Sequence, residues 1–206
     1  VLSKLTFRNA AVAAAVSAAV LNCPVAVAQA EVVVLPDVIR TTTTVDGWQV
    51  TLAMTDARID AVPNMAGAPY SKEGYLSARF TLTVDGTGDR PVDTGQLVAG
   101  AQLGCQIDLS DGLDLGVGFD TDLFDDTTVL GVGPDIGTTL RSGGITTVGL
   151  GVKALKGSVA TISVQDAHVQ VDECGGSVTA RLFASAQTRS EVSDDALNVY
   201  GQVLPL

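Results

Sequence analysis

Histidine occurs once in the 206 residues, tryptophan once, and aromatic side chains make up only 4% of the chain. A single imidazole, His168, set between strand-like valines with no Ser-His-Asp context, leaves hydrolytic and zinc-dependent chemistry without its residues and assigns the ring a hydrogen-bonded structural role. Bases are scarce as well: 12 Lys and Arg stand against 23 Asp and Glu, with no basic cluster. That excludes charge-driven binding to nucleic acid or to anionic membrane faces and favours cationic partners or plain solubility. A phosphate loop is missing too, because the glycine-rich runs sit in strands without the strand-to-helix transition that a nucleotide site needs. Also absent are an internal repeat, a low-complexity linker and a convincing amphipathic helix. The chain is read as a non-enzyme that requires neither cofactor nor metal.

One long apolar run is present, from Ala10 to Val27. Lys4 and Arg8 precede it and Ala28-Gln29-Ala30 closes it, the pattern of a secretory signal peptide over residues 1–30. A transmembrane anchor would be longer and followed by basic stop-transfer residues, and Asn22 and Pro24 around Cys23 suit lipid attachment poorly. Residues 31–206 are then one domain, with 10 bases against 23 acids and a net charge of −13. Export also bears on the two remaining cysteines, Cys105 and Cys174. In an oxidising compartment they would close a loop of about 70 residues, worth roughly 4 kcal/mol by chain entropy; two buried free thiols are the alternative.

Abundant glycine, few aromatics and recurring Val and Thr lean toward strands joined by turns, so the fold class is all-β. "EVVVLPD" is a strand stopped at Pro36-Asp37. "TTTTVDGWQVTLAMTDARID" reads as a hairpin about Asp46-Gly47, with Trp48, Val50, Leu52 and Met54 on its buried side and Trp48 in the core. Pro63, Gly67, Pro69 and Gly74 mark an ordered loop. Leu76, Ala78, Phe80, Leu82 and Val84 then alternate up to the Asp85-Gly86 turn. Farther on, Val159 to Val171 is strand-like around Asp166-Ala167-His168, Val178 to Thr188 runs on from Gly175-Gly176, and Ala196 to Leu204 closes the chain. Glu191, Asp194 and Asp195 read as an exposed loop.

The longest alternation lies in the middle. Leu103, Cys105, Ile107 and Leu109 share a parity that continues after Asp111-Gly112 through Leu113, Leu115, Val117 and Phe119 to Leu123. The other parity holds Asp114, Gly116, Gly118, Asp120 and Asp122. Beyond "FDDTT", Leu130, Val132, Ile136 and Leu140 face one way, Gly131, Gly133, Asp135 and Gly137 the other, so residues 113–140 form a long two-faced hairpin. An ordinary sandwich strand also alternates. Here, however, the polar face is glycine and aspartate rather than Lys, Thr or Glu, and glycine weakens a strand unless something needs the space. Apolar toward lipid and polar toward water is the signature of a membrane β-barrel, whose strands need about 9–11 residues to cross. One hairpin cannot close a barrel, and open edges in lipid are prohibitive, so spanning requires a symmetric oligomer with each aspartate repeated around the ring. Carboxylate rings favour cations.

Four stretches, "DGWQVTL" (46–52), "GAQLGCQIDLSDGLDLGVG" (100–118), "QDAHVQVDECGGSVTARLFA" (165–184) and "NVYG" (198–201), make the chain resemble the MspA-type porins of mycolic-acid-bearing actinobacteria. The likeness covers essentially all of residues 31–206. It implies a β-sandwich rim with a hairpin stem, and a homo-oligomer, octameric in the known porin of the family, whose stems close one barrel. It also implies an adjacent acidic pair at the constriction, a role that falls on Asp125 and Asp126, and it supports pairing of Cys105 with Cys174, which lie in the motifs where the cysteine-bearing branch has its pair. The stem is shorter than in the mycobacterial porin. Asp125-Asp126 also suits a solvated turn.

These readings converge on an outer-membrane porin passing small hydrophilic, preferably cationic solutes. Asp125 and Asp126 would form its constriction, Asp114, Asp120, Asp122 and Asp135 its lumen, and Leu115, Val117, Phe119, Leu123, Leu130, Val132 and Ile136 its lipid-facing side. Two alternatives share the fold: a secreted or wall-associated oligomer with no pore, and an adhesive binding module.

Overall fold

In the computed structural model, residues 31–107, 135–139 and 143–206 are described; the signal-peptide reading and most of the hairpin reading lie outside them. The described chain is all-β. Eleven strands run in the order β1 (Glu31–Val34), β2 (Val38–Thr43), β3 (Gln49–Val62), β4 (Lys72–Asp85), β5 (Thr94–Cys105), β6 (Asp135–Thr139), β7 (Ile145–Ala154), β8 (Val159–Asp172), β9 (Val178–Arg189), β10 (Asp194–Tyr200) and β11 (Leu204–Pro205).

They form two sheets. One has six strands in the order β1-β3-β4-β8-β6, with β2 beside β1 on the free edge of β3; the other has five in the order β10-β9-β5-β7, with β11 also on β9. Every pairing is antiparallel except β6 with β8. Period-two patterning makes this a sandwich. Val50, Leu52 and Met54 on β3 and Leu76, Phe80 and Leu82 on β4 are buried, and they meet Leu97, Leu103 and Leu182 from the facing sheet in one core. Fully burying a side chain of this size contributes about 1.5–3 kcal/mol.

Turn chemistry agrees with the sequence. Gly47 and Gly86 adopt φ of +93°, which only glycine accepts without strain, and the amide of Thr44 donates to the carbonyl of Trp48 at 2.8 Å. Trp48 sits at the rim of the core, its Nε1 donating to the carbonyl of Arg90 at 2.6 Å.

The strand-like reading around Asp166 holds, since β8 runs through it, with a bulge that puts Asp166 at φ +50°. A second bulge places Asp56 at φ +53° on β3. Aspartate tolerates this region better than most residues, and a bulge adds twist without ending the pairing. Asp194 and Asp195 open β10 rather than lying in a loop, because Asp194 pairs with Arg189 across the hairpin.

Candidate functional site: the root of the inserted segment

The alternating segment enters and leaves the sandwich between two neighbouring strands. β5 and β7 are antiparallel partners whose register ends with Gly104 opposite Ile145, so the inserted segment leaves and rejoins the five-stranded sheet at the same end of two neighbouring strands. Ordinary hairpin connections take two to five residues. This one is long enough to be a structural unit.

Its outgoing root is clamped. Cys105, the last residue of β5, is bonded to Cys174, with 5.9 Å between the Cα atoms and both residues nearly fully buried. The disulfide favoured by the sequence is therefore present. Beyond it, the amide of Gln106 donates to the carbonyl of Ser177 at 3.1 Å, and the amide of Gly175 donates to the carbonyl of Ile107 at 2.8 Å. The hydroxyl of Ser177 lies 3.1 Å from Gln106 Oε1. Gly176 is required here because a Cβ would come within 2.8 Å of the Gln106 side chain. The paired glycines Gly175 and Gly176 thus form the seat of the clamp.

The returning chain passes the other sheet. β6 lies parallel to β8, with Asp135 opposite His168 and Ile136 opposite Val169. The structure therefore describes the backbone positions of Asp135 and Ile136, at the sheet edge beside the sole histidine. Asp114, Asp120, Asp122, Asp125 and Asp126 lie outside the described residues, as do Leu115, Val117, Phe119, Leu123, Leu130 and Val132. His168 has the structural environment expected of it: Nε2 is 3.5 Å from Glu73 Oε2 with both side chains mostly buried, and its ring lies 5.3 Å from that of Tyr75. Asn64 Nδ2 in turn donates to Glu73 Oε1 at 2.5 Å, so this polar group pins the loop between β3 and β4. Sequence reading missed Asn64 and Glu73, since an Asn and a Glu at either end of a Pro/Gly loop carry no period.

At the β8 bulge, Arg58 Nη2 donates to Asp166 Oδ1 at 2.7 Å, and Ser77 Oγ accepts from the Asp166 amide at 2.9 Å. The Arg58 hydrogen bond, then that donated by the Ser77 hydroxyl to Oδ1 at 3.1 Å, holds the Asp166 carboxyl below the usual aspartate value. Among the described residues, no group of three or more His, Cys, Asp or Glu side chains is arranged to hold a metal ion. No described helix is long and apolar enough to cross a membrane, which leaves crossing by strands untouched.

The described residues define a two-sheet β-sandwich with a long segment inserted between β5 and β7. The MspA family model matches residues 46–204, from the turn before β3 into β11 and across the whole inserted segment, and the chain belongs to that family. Comparison with curated proteins finds no match.

Proposed function

We propose that the protein is a channel-forming porin of the outer membrane that passes small hydrophilic, preferably cationic solutes through a homo-oligomeric barrel. The observation that supports this most directly is the root geometry: residues 105–144 leave and re-enter at adjacent strands, within a chain matched by the MspA family model. A segment launched from neighbouring antiparallel strands can extend as a hairpin. Its sequence supplies one apolar and one Gly/Asp parity, the division between lipid and water that a barrel strand needs. Each subunit contributes two strands, so closure takes a ring of copies, octameric by family likeness.

Within that ring, Asp125 and Asp126 form the constriction, while Asp114, Asp120 and Asp122 line the wider lumen and Leu115, Val117, Phe119, Leu123, Leu130 and Val132 face lipid. Asp135 and Ile136, paired with His168 and Val169 in β6, lie where the returning strand meets the sandwich. Repeated carboxylates concentrate cations and exclude anions without binding either tightly enough to stop flow. The disulfide and the Gln106–Ser177 clamp hold the stem root so that neighbouring stems meet in register.

The test is single-channel recording of the purified, disulfide-intact oligomer in a planar bilayer under a salt gradient. Stepwise conductance with a cation-selective reversal potential is expected. An oligomer that stays dispersed without detergent and never conducts would overturn the porin reading in favour of a soluble envelope assembly.

A further inference from the structure

Copies of a strongly acidic chain repel one another, so a ring must use surfaces where that charge is absent or answered. The two outer faces of the sandwich differ in this respect. On β5 and β9, Leu97, Leu103, Ala180 and Leu182 enter the core, which turns their alternate neighbours outward. From Gln96 to Gly104 and from Thr179 to Gln187, those outward positions contain no carboxylate, and Arg181 is their one charge.

Two of the few aromatic residues stand beside that arginine. Phe183 lies across Gly100, where a Cβ would come within 2.5 Å of its ring. Tyr200 stacks on Phe183 with the centroids 6.2 Å apart, and the Arg181 guanidinium carbon is 4.8 Å from the Tyr200 ring centre. Gln102 Oε1 accepts from Arg181 Nε at 3.0 Å and from Nη2 as well. Tyr200 nonetheless remains 48% exposed. Tyrosine and arginine dominate interface hot spots, and side chains already held in place lose little freedom on docking.

The six-stranded sheet presents the opposite charge. On β8, Val169 and Val171 are in the core, so His168, Gln170 and Asp172 face outward. Glu73 lies opposite Gln170, and Asp60 lies opposite Tyr75, which is itself opposite His168. Of the three carboxylates in these rows, Glu73 is mostly buried against His168, Asp172 accepts from Gln170 at 2.8 Å, and Asp60 lies one strand farther in, while Arg58 on the next row is held by Asp166. The surfaces are complementary and different, so a contact between them is head-to-tail, the kind that closes into a ring.

We propose that neighbouring subunits pack the Arg181–Phe183–Tyr200 platform of one copy against the acidic outer face around Gln170 and Asp172 of the next. This rests on the ring assembly proposed above.

The test uses the full exported chain purified in detergent, with oligomeric mass read by native mass spectrometry and folding checked by circular dichroism. Ser185→Trp obstructs the first face and Gln170→Trp the second, each at an outward position away from the core. Each variant alone is expected to require at least about tenfold more protein to assemble, as is Arg181→Glu. Mixing Ser185→Trp with Gln170→Trp should yield a 1:1 heterodimer and nothing larger, because each retains the face that the other lacks. A folded Ser185→Trp and a folded Gln170→Trp that both form rings at wild-type concentration would overturn this interface while leaving the ring intact. Loss of assembly in only one of the two would also overturn it, by showing a contact between like faces. A wild-type chain that stays monomeric would instead remove the ring reading, and the interface with it.

Discussion

The sandwich and the segment inserted between β5 and β7 show the same alternation of apolar and small polar residues, but only the sandwich supplies both halves of its own core. On β9, Ala180, Leu182, Ala184 and Ala186 are buried because the facing sheet covers them with side chains such as Met54. The segment has the same period over Leu113 to Leu123 and only one hairpin's worth of strand. A lone two-stranded hairpin is marginal in water, so in the proposed porin the apolar parity of this segment meets lipid and its edges meet other copies. The difference teaches that one period in one chain can specify a core at one place and an assembly at another.

The largest effects should separate the two regions outright. Phe80→Ala, in the centre of the core, should lower unfolding free energy by about 3–5 kcal/mol in a denaturant titration. Replacing residues 113–134 by a short glycine-containing turn should leave the thermal midpoint of the sandwich nearly unchanged while abolishing bilayer conductance. A truncated chain that fails to fold would break the comparison, because the segment would then be part of the core. Next in size is the bond that joins the regions. Cys105→Ala with Cys174→Ala should cost about 4 kcal/mol, measured by the same titration, if loop-closure entropy dominates.

The sandwich was legible because burial is written in period two and turns in Asp-Gly pairs. Leu76 through Val84 and the Asp46-Gly47 corner are where the alternation put them. The bulges at Asp56 and Asp166 were not legible, since an inserted residue shifts the parity by one and resembles a strand break. Nor was the stem-root clamp, whose Gln106 and Ser177 meet across 71 positions of sequence. The β6 pairing was equally hidden, because parity names a face and never a partner strand. For the inserted segment, the sequence names faces for Asp114 to Ile136; the described structure adds only the root and the places of Asp135 and Ile136.

A smaller effect sharpens what the insertion contributes. Asp125→Asn with Asp126→Asn keeps side-chain size and removes two negative charges from each subunit of the proposed constriction. The reversal potential in a salt gradient should move toward zero while channels still insert, since the lumen aspartates farther from the tip remain. An unchanged reversal potential would assign the pair to a solvated turn and shift selectivity to Asp114, Asp120 and Asp122.

The smallest expected effect lies on the sandwich surface, at the β8 bulge. Asp166 is held below its usual value by Arg58 and Ser77, so its folded-state proton affinity is lower than in the unfolded chain. A depressed carboxyl contributes stability that is fully present above the unfolded value, near pH 4, and is lost as pH falls through the lower folded value. Asp166→Asn is the useful variant because asparagine also tolerates φ near +50°, leaving the bulge intact and removing only the charge. At pH 7 and low salt the wild type should melt slightly higher than the variant, and the gap should close as pH drops below about 4. Added salt should narrow it as well, because both partners are substantially exposed. A gap that persists unchanged at low pH would mean that the bulge depends on aspartate for its backbone shape and not for its ion pair.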